Sequence, residues 1–431
     1  MIQSDSIRRI LPRAIKNQDD AVVDQCLEFD REFTAVVMDI LPFPNDLLDN
    51  PNAVRWVLDW RDRIRSSWST PDDEQKAYLH AIWGLYWDGQ LLPVAGAGIS
   101  KPAGFPLWGE LTKDCLLYAR RHAEPEDVQQ VVTAFDQLNS KDYTDAQLKE
   151  ATDAFVTAAR GKASIWLQNL LQTYYKRLPG LWAPVAPTRL HDRLAALHHA
   201  ARPSITGGPV GLGGPGIRGI VTYNFDQMLE LAMTNRRCGV EVFFSKQGAP
   251  VSLLQGDIQG DYPFPIVHAH GFIPMQSEPV RPEGWIRRPD VLPAQHADSE
   301  ETIRLHDVVF SQSSYKVLYA NADGVPKLVH KEILGRAGSL FIGCSLKDDA
   351  VLNELLEAKE QSPLNTHFAV FQDESHVLDD FGEYRKARDH FLHYGIRPFF
   401  IKDHDDLPIL LDGLRKQGAA YIRKCRLAGG G

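Results

Sequence analysis

The chain has 431 residues, of which 44% are apolar and 24% charged, and a formal net charge of −9. This suits a globular protein built as one large domain plus an extension, or as two domains. It argues against a general nucleic-acid-binding surface, and no run of about 18 apolar residues offers a membrane-spanning helix.

The first twenty residues, MIQSDSIRRILPRAIKNQDD, lack the apolar segment and cleavage site of a secretory signal, so a cytoplasmic location is expected. Residues 1 to 89 read as a helical N-terminal extension. Apolar side chains recur at helical spacing through Val22, Val23, Leu27, Phe33 and Val36, and again through Val54, Val57, Leu58 and Trp60. LPFPND (41–46) separates two helices, and Thr70-Pro71-Asp72-Asp73 starts another. Trp56, Trp60, Trp68, Trp83 and Trp87 all lie here, with Trp56/Trp60 and Trp83/Trp87 at i,i+4. They fit either a packed core or a docking surface.

From residue 91 the pattern changes. Short β-rich runs occur at 91–96, 219–223, 240–244, 265–269, 339–343, 367–371 and 396–401, many of them separated by helical patterns. That alternation predicts an α/β, Rossmann-like fold with a mostly parallel sheet of six or seven strands. Residues 109–200 carry only helical periodicity, so a helical block is inserted after the first strand. The block displaces the acidic residue that a dinucleotide-binding fold places about 20 residues past its glycines, so an ordinary Rossmann dehydrogenase fits poorly. The glycine- and proline-rich stretch 202–218 lacks a P-loop's Gly-Lys-Ser/Thr, and 275–300 reads as an irregular excursion. The predicted units are therefore 1–89, 90–425 and a flexible tail at 426–431.

Four segments carry chemistry. In LPVAGAGISKPAGFPLW (92–108), Gly96 and Gly98 allow close backbone approach to a pyrophosphate, and Ser100 adds a hydroxyl. A tight structural turn explains the same residues, and Pro106 delays any helix. In GIVTYNFDQMLELAM (219–233), Asn224 and Asp226 follow a strand at its carboxyl end, where open α/β sheets bind ligands, although Asp226 also suits a helix cap. In IVHAHGFIP (266–274), strand alternation puts His268 and His270 on one side. A metal pair lacks further ligands, so one catalytic imidazole with a packed His268 beside it fits better. In SLFIGCSLKDDAV (339–351), Gly343 and Ser345 suit a ribose or phosphate, and Cys344 reads as a small packed residue. The five cysteines, Cys26, Cys115, Cys238, Cys344 and Cys425, include no C-x-x-C pair, which argues against a zinc ribbon or a disulfide framework.

GAGIS, T-x-N-x-D, His-Gly and Gly-Cys-Ser-Leu, in this order, resemble the sirtuin family over about residues 90 to 425. The lead-in FSQSSYKVLY (310–319) looks more like the sirtuin-like branch of anti-phage defence proteins. The resemblance implies NAD as substrate and a mobile loop after the glycines that closes over it. It implies that Gly96, Ala97, Gly98 and Ser100 line the pyrophosphate, and that Asn224 faces the nicotinamide ribose and orders water. It further implies that Asp226 holds the carboxamide, His270 is the general base, and Gly343 and Ser345 contact the adenosine half. Deacetylase sirtuins carry a four-cysteine zinc module after the His-Gly, whereas no cysteine lies between Cys238 and Cys344. Their usual P-D-F-R after the loop is replaced by Phe105-Pro106-Leu107-Trp108. No metal is expected, and water becomes the expected nucleophile.

The expected activity is therefore NAD glycohydrolysis, releasing nicotinamide and ADP-ribose and depleting NAD during infection. A nucleotide-binding regulatory subunit without turnover and a protein deacylase stand as alternatives. Free NAD hydrolysis would starve the cell, so turnover must be gated, and no ligand-sensing domain is recognisable after the sirtuin-like fold. A homo-oligomer is expected, with the tryptophan-rich helices as its contact surface. A HerA-like ring ATPase is the first choice of partner and an Argonaute-type protein the second, with neither direct nucleic-acid nor membrane binding.

Overall fold

A computed structural model describes residues 4–40, 48–68, 70–87, 89–139, 143–175, 187–198, 216–217, 219–236, 238–243, 264–272, 285–286, 309–320, 325–334, 338–373 and 376–427. Eight strands form one sheet: β1 (Leu91–Ala95), β2 (Ile220–Thr222), β3 (Val240–Phe243), β4 (Phe264–His268), β5 (Trp285–Ile286), β6 (Gly338–Ile342), β7 (His367–Gln372) and β8 (Ile396–Ile401). Their order is β5-β3-β4-β2-β1-β6-β7-β8, and every pairing is parallel except β3 with β5. The seven β-rich runs of the sequence are the seven parallel strands. The eighth lies in the stretch read as irregular, because two residues pairing with Val242 and Phe243 leave no periodic signal. Most of the 275–300 stretch, like 202–215 and LPFPND, lies outside the described residues.

The strands read as continuous apolar runs because both faces are covered. Leu92, Val94, Val221, Val267 and Phe341 pack on one face with Leu352 and Leu355 of helix Asp349–Gln361. Ala95, Ile220, Ile266, Leu340 and Ile342 pack on the other with helices Pro71–Trp87, Arg189–Ala196, Met228–Asn235 and Asp406–Leu427. The last helix runs two residues into the segment read as a tail. Between β1 and β2 the chain forms helices Trp108–His122, Pro125–Asn139, Asp145–Ala158, Ala163–Tyr175 and Arg189–Ala196. The first four share a core of their own, around Leu116, Val131, Leu138, Phe155 and Leu167. The inserted helical block is thus a packed body, into which Phe225, Met228 and Phe310 also reach.

Helices Ser4–Asn17, Asp20–Phe29, Arg31–Ile40 and Pro51–Ser66 enclose a further cluster containing Ile7, Leu11, Val23, Phe33, Val57 and Trp60. The Trp56 and Trp60 rings meet edge-on at 6.0 Å. Both indole N–H groups donate to Asp20, at 2.9 and 2.8 Å. Trp60 and Trp83 are buried, while Trp56 and Trp68 are half-buried. The Trp87 side chain lies outside the described residues. The packing reading holds for Trp60 and Trp83, while Trp56 and Trp68 keep part of their rings at the surface.

Helix Pro71–Trp87 also completes the sheet. Its start is set by Thr70, whose hydroxyl accepts from the Asp73 N–H at 3.3 Å. One turn on, buried Gln75 accepts from the Phe400 N–H at 2.7 Å and donates to the Pro398 carbonyl at 3.0 Å and to the Tyr384 hydroxyl at 3.1 Å. Its amide thereby takes the place of a ninth strand at the β8 edge, which would otherwise offer unpaired backbone groups. Gln75→Leu should leave those two backbone groups buried without partners and cost about 2–3 kcal/mol of stability. Chemical denaturation reads this, and a loss under about 0.5 kcal/mol, the size of an ordinary surface change, would refute it.

Candidate active site

The chain moves from β1 toward β2 on one side and later places β6 on the other, so β1 marks the point where the strand order reverses. In open parallel sheets such a reversal leaves a crevice at the carboxyl ends, between loops that turn opposite ways. The loops after β4, β2, β1 and β6, neighbours in that order, carry all four sequence motifs.

Two of these loops touch backbone to backbone. The Gly96 N–H donates to the Ile342 carbonyl at 2.9 Å, and the Gly98 N–H to the Gly343 carbonyl at 2.9 Å. A Cβ on Gly96 would stand 2.5 Å from the Gly343 oxygen. Gly343 has φ of +67°, and a Cβ there would stand 2.7 Å from the Ile99 nitrogen. The glycines let β1 and β6 hold their loops in contact, and the N–H groups of Gly96 and Gly98 are committed to that contact. Ala97 and Gly98 remain half-exposed and Ser345 is exposed. After Ile99 the chain makes a second short 3-10 turn, Lys101–Ala103, and reaches Gly104 at φ of +88°. Phe105 then anchors against Tyr174 and Tyr175, and Trp108 against Phe225 and Phe310. Both ends of the 97–108 loop are therefore pinned, with Lys101, Pro102 and Gly104 exposed between them.

Behind this loop lies a buried polar network. The Asn224 amide nitrogen donates to the Ser100 hydroxyl at 3.1 Å, and that hydroxyl meets His191 Nε2 at 3.2 Å. Ser100 also hydrogen-bonds Asp226, whose carboxylate accepts from the Met228 N–H at 3.0 Å. Gln227 is the N-cap of helix Met228–Asn235, and Asp226, one residue earlier, takes the first helical N–H while joining Ser100. Burial raises its pKa to about 6, with the Met228 and Ser100 hydrogen bonds pulling the other way. The Asn224 amide oxygen is buried and has no hydrogen-bond partner among the described residues. Such a group is costly unless something donates to it.

His268 and His270 do not share a face. β4 ends at His268, so strand alternation stops there, and Gly271 turns the chain at φ of +95°. His268 is fully buried, with Nδ1 at 2.7 Å from the Asn224 carbonyl and Nε2 at 2.7 Å from Glu230. Both ring nitrogens are engaged, so His268 steadies the Asn224 backbone. His270 instead lies among Tyr223, Tyr315 and Tyr319, with Nε2 hydrogen-bonded to the Tyr319 hydroxyl at 2.8 Å. Burial lowers its pKa to about 4 despite Asp348, so the ring is neutral at pH 7. Asp348 itself is half-buried, yet His270, Tyr315 and Lys149 outweigh that desolvation and hold it below the usual carboxylate range. Lys149, from the inserted helices, bridges Asp348 at 3.1 Å and Asp145 at 2.6 Å. Cys344 is packed, with burial pushing its thiol up to about 12, which suits packing and not attack.

His191, Glu230, Tyr319, Lys149 and Asp348 were not predicted as site residues. For His191 a signal existed: Thr188-x-x-His191 has capping-box spacing, and the Thr188 N–H does donate to His191 Nδ1, at 3.1 Å. Glu230, Tyr319 and Asp348 lie within the motif segments themselves, while Lys149 meets the site only through the tertiary fold. Among the described residues no group of three or more His, Cys, Asp or Glu could hold a metal ion. None of the described helices is long and apolar enough to cross a membrane.

A mostly parallel, Rossmann-like sheet with polar groups gathered at its switch point defines a nucleotide-binding class of fold. More specifically, residues 218–399 match the family model of the SIR2-like domain, and this fold is consistent with such a domain. The match takes in Asn224, Asp226, His270, Gly343 and Ser345, and leaves β1 with its GAGIS turn and the helical block outside. SIR2-like domains bind NAD, and an NAD-related activity goes with them. No curated protein matches the chain.

The buried imidazoles set the acid stability. Burial lowers His191 to about 3, and His270, His330 and His367 each to about 4, from an ordinary 6.5. The unfolded chain therefore takes up protons that the folded one refuses, so this stabilisation is complete above pH 6.5 and is lost as the pH falls toward 4. Asp226 acts oppositely, since its folded value of about 6 exceeds the unfolded 3.8 and favours the folded state as the pH falls. Burial also raises the Asp145 and Glu354 carboxyls, whereas His80 is lowered by burial and Asp348 is held low by its partners. The four strongly lowered rings with these two outweigh the raised carboxyls, so the urea midpoint should drop between pH 7.5 and pH 5. A level or rising midpoint would contradict this balance.

Proposed function

We propose that the chain is an NAD glycohydrolase, cleaving the bond between nicotinamide and ribose with water as the nucleophile. The observation that carries this reading is the buried amide oxygen of Asn224, without a partner among the described residues, in the loop beside the one that holds neutral His270. An acceptor so placed fits a water or a ribose hydroxyl, and a neutral imidazole can accept a proton.

In this reading Gly96, Ala97, Gly98 and Ser100 border the pyrophosphate, and Gly343 and Ser345 the adenosine half. Asp226 holds the carboxamide. Asn224 orders the water beside the nicotinamide ribose. The nicotinamide ring is cationic in NAD and leaves neutral, taking the electron pair of the breaking C–N bond. Water oxygen forms the new bond to the anomeric carbon, and its proton passes to His270 and then to solvent, giving nicotinamide, ADP-ribose and a proton. Positioning and electrostatics suffice for this step. The lack of any cysteine between Cys238 and Cys344 speaks for water over acetyl-lysine. In the cell this activity would deplete NAD in anti-phage defence, restrained by homo-oligomerisation or by a partner such as a HerA-like ring ATPase. That extension is supported by the motif resemblance and by the need to restrain such an enzyme.

Nicotinamide release from NAD, followed with and without an acetylated peptide, tests the reading; release without peptide is expected. Release that requires the peptide would point to a deacylase, and tight binding without release to a regulatory subunit. His270→Ala and Asn224→Ala should each lower turnover at least ~100-fold, as for loss of a general base or a positioning group, with NAD binding better preserved. His268→Ala should be milder. Wild-type turnover in His270→Ala would remove that residue from the mechanism.

A further inference from the structure

We propose that His191 is a positioning residue: acting through Ser100, it fixes the Asn224 side-chain amide with its oxygen turned toward the reacting centre. The inference rests on the hydrolase reading for its kinetic consequence, and on hydrogen-bond counting for its geometry.

The counting starts at Thr188: its hydroxyl lies 2.7 Å from His191 Nδ1 and could donate or accept, but its backbone N–H, which can only donate, points at the same nitrogen from 3.1 Å. Nδ1 must then be the acceptor, and the single proton of the neutral ring sits on Nε2. Nε2 in turn donates to the Ser100 hydroxyl, 3.2 Å away. Ser100 has one proton of its own, and its partner Asp226 is an acceptor when ionised, so that proton goes to Asp226. The hydroxyl is left with one free lone pair, and only a donor can use it. Asn224 must therefore present its NH2 group, at 3.1 Å, which turns its oxygen the other way. That oxygen is the buried atom without a partner among the described residues. Reversing the amide would set its oxygen against the Ser100 lone pairs.

His191 can do this because it is fully buried and because burial, lowering its pKa to about 3, keeps it neutral. Its helix, Arg189–Ala196, packs on the sheet through Leu190, Leu194 and Ala195, so the ring is held from outside the loops it orients. Without the Nε2–H, Asp226 alone holds the Ser100 proton and the hydroxyl has a second free lone pair, so two contacts instead of three set the hydroxyl and the amide it orients.

Two variants of the full chain separate this role from packing. His191→Gln keeps an N–H donor within reach of Ser100, whereas His191→Leu keeps volume only. With NAD as the probe, His191→Leu should lower kcat about 30- to 100-fold, the scale of a misplaced catalytic group, with Kd for NAD within about threefold. His191→Gln should recover kcat to within about fivefold of wild type. Ser100→Ala combined with His191→Leu should be no slower than the slower single variant, since both act through one chain. Equal loss in the Gln and Leu variants, or full activity in the Leu variant, would overturn the proposal. Its geometric half is read without turnover, from the long-range proton–nitrogen spectrum of nitrogen-15-histidine-labelled wild-type protein. His191 should show the Nε2–H tautomer throughout the neutral range, and an Nδ1–H tautomer would overturn it. A wild-type chain that binds NAD without releasing nicotinamide, yet shows that tautomer, would defeat the hydrolase reading alone.

Discussion

The site depends on one close approach, between the backbone after β1 and the backbone after β6. The Gly96–Ile342 and Gly98–Gly343 hydrogen bonds continue the β1–β6 ladder past the ends of both strands. They hold the two loops in contact at the place where the sheet reverses its order. The Gly96 position has no room for a Cβ, and Gly343 adds a left-handed backbone that other residues adopt only with strain. Everything downstream uses this contact. Ser100 leaves the first loop already buried, with its hydroxyl pointed at Asn224, and Leu346 and Asp348 leave the second toward the tyrosine cluster.

Burial then decides the charge states. The site contains many titratable side chains in little solvent, and desolvation favours their neutral forms. His270, His330 and His191 are held neutral, and the Tyr223, Tyr315 and Tyr319 hydroxyls are raised well above their ordinary range. Asp348 keeps a charge because Lys149 and the Tyr315 hydroxyl both reach it. Fixed dipoles and charges act strongly where water is excluded, so the neutral rings and the compensated Asp348 carboxylate weigh more here than they would in water.

Periodicity revealed much of this architecture. The seven parallel strands are short apolar runs between helical patterns, because buried parallel strands and amphipathic helices leave unlike signatures. β5 left none, since two residues cannot define a period. The motif residues that follow strands came together because strand order brings carboxyl ends together, a rule that needs no coordinates. Where alternation was carried past its element it failed: His268 closes β4, and His270 belongs to the turn after it. Compensating partners stayed hidden for a different reason. Lys149 and Asp348 are 199 positions apart, and His191 and Ser100 are 91 apart, so nothing local links them.

Those distant partners show what the helical insertion does. It occupies the place where a dinucleotide fold would run directly into a second strand ending in an acid that reads the ribose. Here the insertion returns three polar ties to three different loops. His191 meets Ser100 after β1, the Tyr175 hydroxyl accepts from the Gln227 N–H after β2 at 2.9 Å, and Lys149 meets Asp348 after β6. Phe105 and Trp108 bind the near end of the 97–108 loop to the same body. The four-helix body with its own core thus reaches Gln227 and Asp348, while helix Arg189–Ala196, packed on the sheet, reaches Ser100, so the site is braced from two independently packed bodies.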